Sequence, residues 1–135
     1  SPSVHSILAA ELGEKKQAYE FFKFSTRLDL DNYNRNTAEG LHLTSIAAAW
    51  MNVVYGFGGM RSDGDVLTFK PSFPELWNEL GFNIVYHNSV LNIKINSKTA
   101  DFRILKGSSQ TIKVFEKKYE IDEKGIKVNI RYRRG

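Results

Sequence analysis

Residues 37–55 hold the run that most restricts what this chain can fold into. Thr37 reads as an N-cap for a helix over 38–55, and Gly56 stands where such a helix would stop. Leu41, Leu43, Ile46, Ala47, Ala48, Ala49, Trp50, Met51, Val53 and Val54 point in every direction around its axis. A helix that is apolar all round has to be covered on all sides. Yet Glu39 and His42 stand near its start, on the face shared by Ile46, Ala49 and Val53. Burying a carboxylate and an imidazole is costly unless each has a partner or a task.

The flanking sequence supplies the cover in part. Ser1-Pro2 is a helix start, and Val4, Ile7, Leu8, Ala9, Ala10 and Leu12 continue an apolar helix that Gly13 ends. A second helix, about residues 14–28, is different: Ala18, Phe21, Phe22 and Phe24 are apolar while Glu14, Lys15, Lys16, Glu20, Lys23 and Arg27 stay wet. Residues 29–36 form a polar loop rich in Asp and Asn. Buried, half-exposed, buried is the order that two concentric rings of helices produce, and three helices cannot close such a ring. Taken as a whole protein, these helices would leave apolar area that needs a partner.

Beyond the glycine-rich turn at 56–59 the period changes to two. Short alternating runs centre on Val66–Phe69, then on Phe82, Ile84 and Tyr86, on Leu91, Ile93 and Ile95, on Phe102 and Ile104, on Ile112 and Val114, and on Ile126, Val128, Ile130 and Tyr132. Turn residues separate them at 87–89, 96–98, 106–108 and 123–125. This spacing predicts a small antiparallel β-sandwich. The Gly/Pro-rich segment 56–74 is where the halves meet, and the expected units are 1–65 and 66–135.

Charge and composition exclude several functions. With no cysteine there is no disulfide scaffold and no thiolate chemistry, which fits a reducing compartment. No window approaches the roughly 20 apolar residues of a membrane span. The net charge of +4 divides into −2 over residues 1–65 and +6 over 66–135. The basic half reads as a wet sheet face with lysines blunting strand edges rather than a nucleic-acid surface, because the exposed side lacks interleaved aromatics. A single Glu39-x-x-His42 with no second copy cannot assemble a metal shell. Gly56-Phe-Gly-Gly is no nucleotide loop, since no Lys-Ser/Thr follows and it trails a helix.

From the residues alone, His42 is a core histidine or a donor to an anion at a helix start, where unpaired N–H groups and the dipole favour negative charge. Ser1 and Ser3, with His5 close by, are a plain cap or a second such start converging on one dianion. Glu39 has the chemistry of a general acid. Asp29 and Asp31 are paired carboxylates best explained by turn formation, and Arg61 is a surface arginine or one reaching the site mouth.

The pattern Glu-Gly-x-His-x-x-Ser at 39–45, the apolar helix through Trp50, the preceding Arg-Leu-Asp-Leu-Asp-Asn-Tyr at 27–33 and the Gly-Phe-Gly-Gly-Met-Arg turn at 56–61 resemble glycoside hydrolase family 65. That family includes maltose, trehalose and kojibiose phosphorylases. The likeness covers about residues 1–96 and departs at Ala47-Ala48, where family members tend to have Ala-Gly. It implies an α+β chain: the last helices of an (α/α)6 barrel followed by a small β-sandwich, at the C-terminal end of a much larger enzyme. The implied activity is phosphorolysis of an α-glucoside such as maltose, with inversion, to glucose and β-glucose 1-phosphate. In that reading His42, Ser1 and Ser3 contact phosphate, and Thr37, Glu39 and Ser45 shape the site. The general acid lies upstream, so this stretch holds no catalytic residue and is inactive alone. Inorganic phosphate is a co-substrate, with no cofactor and no metal. The implied partners are the disaccharide, phosphate and the rest of the barrel, with a homodimer left open, no nucleic acid and no membrane. The implied location is cytoplasmic. Two other readings stand beside it. One is a non-catalytic carbohydrate-associated or interaction module presenting Tyr86, Tyr119 and Tyr132 on its sheets. The other is a hydrolase of the same family, with a carboxylate base in place of the phosphate cradle.

Overall fold

The computed structural model describes residues 2–27, 31 and 43–130. Pro2 opens α1 (Pro2–Glu11), where its fixed φ suits a first turn and its missing N–H has no helical partner to lose. Gly13 follows at φ 80°, a conformation open to glycine at little cost, and turns the chain into α2 (Lys15–Arg27). The two helices pack through small residues: Ser3, Ser6, Ala9 and Ala10 on α1, with Ala18 and Ser25 on α2, are buried. The Ser6 hydroxyl donates to the Ala18 carbonyl at 2.7 Å, which satisfies a polar group inside that contact.

The larger apolar residues of α1 lie elsewhere. Val4, Leu8 and Leu12, one turn apart, are 53%, 49% and 79% exposed. The expected all-round burial of α1 is therefore not met within the described residues. Close helix packing selects small side chains for the inner face and leaves the bulky ones on an open stripe.

The third helix also departs from expectation. Its described part, α3 (Leu43–Met51), does not continue as an α-helix to Gly56 but passes into a π-helix (Asn52–Phe57). Gly56 lies inside that π-helix. It packs against Ile7 and Ala10 of α1, and it does not end the helix. The end comes at Gly58 and Gly59. Gly59 has φ 61°, and any side chain on it would collide with the Lys70 carbonyl. Trp50 and Met51 stay exposed on the open side of α3.

Among the described residues seven strands follow, making the chain α+β as expected. They are β1 (Leu67–Phe69), β2 (Glu79–Tyr86), β3 (Ser89–Asn96), β4 (Thr99–Lys106), β5 (Gln110–Val114), β6 (Lys117–Ile121) and β7 (Ile126–Asn129). One sheet has the order β2-β3-β4-β7 and the other β1-β5-β6. Every pairing between strands is antiparallel except β1 with β5, whose partners Leu67↔Ile112 and Phe69↔Val114 run parallel. The parallel pair is possible because the whole β2–β4 meander intervenes, which supplies the long crossover that parallel strands need.

The sheets face each other across an apolar layer. Leu91, Ile93, Ile95 and Phe102 from one sheet, and Leu67, Phe69, Ile112, Val114 and Ile121 from the other, are fully buried or nearly so. The Phe69 and Phe102 rings meet across the layer at 5.0 Å in an edge-on arrangement. Alternate residues face out, as the period-two pattern predicts. The expected turns are built as their residues suggest. Asn96 Oδ1 accepts from the Lys98 and Thr99 N–H groups, and Asp122 Oδ1 from those of Lys124 and Gly125.

Candidate functional site

Four of the six residues expected to form the phosphate end, Ser1, Thr37, Glu39 and His42, lie outside the described residues. Ser45 is on α3, its side chain likewise outside the described part. Ser3 is described. It lies buried in the first turn of α1 and is engaged by a neighbour. The structure thus fixes the path of two helices, α1 and α3, toward the ends where these residues stand in sequence.

His5 does not join Ser3. It is exposed, and its ring lies 5.3 Å from that of Phe21 on α2. Both line a groove of about 720 Å³ beside Phe24, Arg27 and Asp31. There Arg27 donates a forked pair of hydrogen bonds to Asp31, from Nε at 2.6 Å and Nη2 at 2.7 Å. Those bonds, opposed by desolvation and helped by the charge of Arg27, hold the Asp31 carboxyl below the usual range. Asp31 is therefore a paired loop residue, in keeping with a structural part.

Arg61 is half-buried at the helix exit, and the site mouth it was expected to reach lies outside the described residues. Its guanidinium turns onto the helix end: Nη1 donates to the Tyr55 carbonyl at 2.7 Å and to the Met60 carbonyl at 2.8 Å. Nη2 lies 3.6 Å from Glu11 Oε2, at the end of α1. Its backbone pairs with Thr68 in both directions, at 2.9 and 3.0 Å, which ties the helix exit to β1.

Asn52, where the π-helix begins, was also silent in the sequence. It is fully buried, and its Nδ2 donates to Ser25 Oγ on α2 at 3.3 Å, while its Oδ1 has no hydrogen-bond partner among the described residues. A lone Asn inside an apolar run is a weak signal because surface amides are common; burial alone makes this one costly. Between the helices and the sheets, Phe22, Phe57 and Trp77 meet edge-on at 5.1–5.5 Å, with Tyr19 joining Trp77 at 6.1 Å.

A second groove of about 410 Å³ runs where Trp50 and Tyr55 approach Asn83, Val85 and Tyr86 of β2. Among the described residues there is no group of three or more His, Cys, Asp or Glu able to hold a metal. Nor is any described helix long and apolar enough to cross a membrane.

Comparison with known proteins gives these helices and sheets a family. Residues 1–51 match the glycosyl hydrolase family 65 central catalytic domain, and residues 60–121 match the family 65 C-terminal domain. The chain is 47% identical over 116 residues to the maltose phosphorylase of Bacillus subtilis (strain 168), which covers 86% of this chain and 15% of that protein. It is 41% identical over 127 residues to the alpha,alpha-trehalose phosphorylase of Thermoanaerobacter brockii, covering 94% of this chain and 16% of that one. A solved structure, described as a candidate kojibiose phosphorylase from human microbiome, superposes with a TM-score of 0.87 at 44% identity, over 96% of this chain and 17% of its own. The chain spans about a sixth of the length of these curated relatives. Helices that carry catalytic-domain sequence, followed in order by the two-sheet C-terminal domain, place this chain in glycosyl hydrolase family 65.

Proposed function

We propose that the chain is the C-terminal part of an inverting disaccharide phosphorylase that uses inorganic phosphate to cleave an α-glucoside of the maltose kind. One observation carries the reading: catalytic-domain sequence through residue 51 is followed by C-terminal-domain sequence from residue 60, and both curated relatives bear phosphorylase names. In this reading residues 1–65 are the last helices of an (α/α)6 barrel and residues 66–135 a capping β-sandwich. The exposed stripe of Val4, Leu8 and Leu12, with Trp50 and Met51, supports it, since such surface wants further helices against it.

The chemistry follows from phosphate replacing the activated water of an inverting hydrolase. Phosphate attacks the anomeric carbon while an upstream general acid protonates the departing oxygen, giving glucose and β-glucose 1-phosphate. An anion pocket then stands where a hydrolase keeps a carboxylate base. The starts of α1 and of the helix containing α3 supply N–H groups and positive dipole ends, with His42, Ser1 and Ser3 as added donors. Thr37, Glu39 and Ser45 shape that end. The absence of cysteine fits a cytoplasmic place for the enzyme.

Calorimetry with inorganic phosphate tests this, on the chain and on the full-length enzyme, each with and without His42→Ala. Binding by the full-length enzyme that is lost in the variant is the expected result. Full-length binding that survives the loss of the imidazole would overturn the role given to His42. Turnover by the isolated chain would overturn the assignment of the general acid to upstream sequence.

A further inference from the structure

We propose that the β part of this chain acts as a brace that sets the axial position of α3, with Arg61 as the positioning residue. The π-helix is the first sign of it. An extra residue per turn breaks the regular i→i−4 ladder and re-aims the residues beyond it, and such turns recur at functional sites. Here Gly58 N–H reaches Val53 O at 2.7 Å, five residues back, and Met60 N–H reaches Val54 O at 3.1 Å. The carbonyls of Tyr55 and Met60 are then taken by one guanidinium nitrogen, that of Arg61. A charge-assisted donor that joins the Tyr55 carbonyl of the π-helix to the Met60 carbonyl just beyond it is a strong contact in a partly buried place, and it acts as a C-terminal cap.

The grip continues into the sheets. Ser72 N–H donates to Phe57 O at 2.8 Å and Lys70 N–H to Gly59 O at 3.1 Å. The Phe82 ring of β2 presses so close to Gly58 that a side chain there would meet it at 2.9 Å. Trp77 packs edge-on against Phe57 at 5.1 Å. The outgoing end of α3 can neither turn nor slide without breaking backbone bonds to the β part.

At the other end of the π-helix, Asn52 keeps a buried side-chain oxygen with no hydrogen-bond partner among the described residues, which is unfavourable. α3 leads back from the clamp to Leu43, next in sequence to His42. An α-helix turns by about 100° and rises about 1.5 Å per residue, so a slip of one residue at the clamp would re-aim everything at the far end.

The kinetic consequence rests on the phosphate reading above; the mechanical one does not, and the experiment separates them. In the 135-residue chain, Arg61→Gln is expected to speed amide exchange across 43–51 by about tenfold while β3 and β4 exchange as before. Arg61→Lys, which keeps the charge but not the fork, is expected to shift exchange in the same direction by less. Unchanged exchange of α3 in both variants would overturn the brace. In the full-length enzyme, Arg61→Gln is expected to raise KM for phosphate about tenfold with KM for the disaccharide unchanged. A lowered Tm with no change in either KM would reduce Arg61 to a merely structural residue and overturn its positioning role. Faster α3 exchange, together with a phosphate KM that His42→Ala also leaves untouched, would keep the brace and remove the phosphate end.

Discussion

Glu116 shows how a single side chain couples neighbouring strands. It follows Phe115 in the β5–β6 turn, both at positive φ, 46° and 73°. A phenylalanine there is costly, and it is held by the bond from Phe115 N–H to Phe69 O at 3.1 Å. Lys70 and Lys113 lie 3.1 and 3.5 Å from the Glu116 carboxylate. The hydrogen bond from Lys70, then its charge, then those of Lys113, hold this carboxyl below the usual glutamate value. A lowered folded value means stability that is complete above the unfolded value, about pH 4.3, and lost as pH falls through the folded one. Acid titration of unfolding should therefore show a shallower loss below about pH 4.3 for Glu116→Gln than for the parent, with no difference at neutral pH beyond a constant offset. Gly59 makes a sharper case. With φ 61° and the Lys70 carbonyl against it, Gly59→Ala should lower stability by about 2 kcal/mol or more in urea unfolding.

At the scale of elements, the strands follow from alternation and the helices only in outline. Each alternating run became a strand, because one face meets the opposite sheet and the other meets water. β6 escaped notice: Lys117-Lys-Tyr-Glu-Ile carries too few apolar residues to alternate clearly, and edge strands need only one good face. Phe102, 1% exposed and packed edge-on against Phe69, sits at the centre of this packing. Phe102→Ala should cost about 3–5 kcal/mol, read from denaturant midpoints at unchanged slope. The conversion of α3 into a π-helix had no signal in the sequence. Its exit at residues 57–61 is bonded to residues 68–72, which no local window of the sequence contains.

At the scale of the whole molecule, the described residues make a packed β part joined to helices that carry exposed apolar side chains. Val4 and Leu8 on α1, with Leu12 just past its end, form a line of exposed apolar side chains. Alone in solution, the chain should bind a hydrophobic dye and elute above its 15.4 kDa, and Leu8→Lys with Leu12→Lys should reduce both effects without lowering the unfolding midpoint of the sheets. Equal dye binding by parent and variant would show that this stripe is not the sticky surface. In the full-length enzyme the same pair of lysines should instead destabilise, because there the stripe would be covered.

By itself the sequence determined the fold class and the change from helices to alternating strands near residue 60, because hydrophobic period and local turn chemistry are properties of neighbours along the chain; the family was legible from its resemblance at residues 27–33, 39–45 and 56–61. His42, Ser1, Thr37 and Glu39 remain residues known from sequence pattern, since they lie outside the described part. Only tertiary structure decided where Arg61 points, that Asn52 is buried against Ser25, which face of α1 stays exposed and that β1 runs parallel to β5. Each of these depends on groups far apart in sequence meeting in space, and no window along the chain contains both partners.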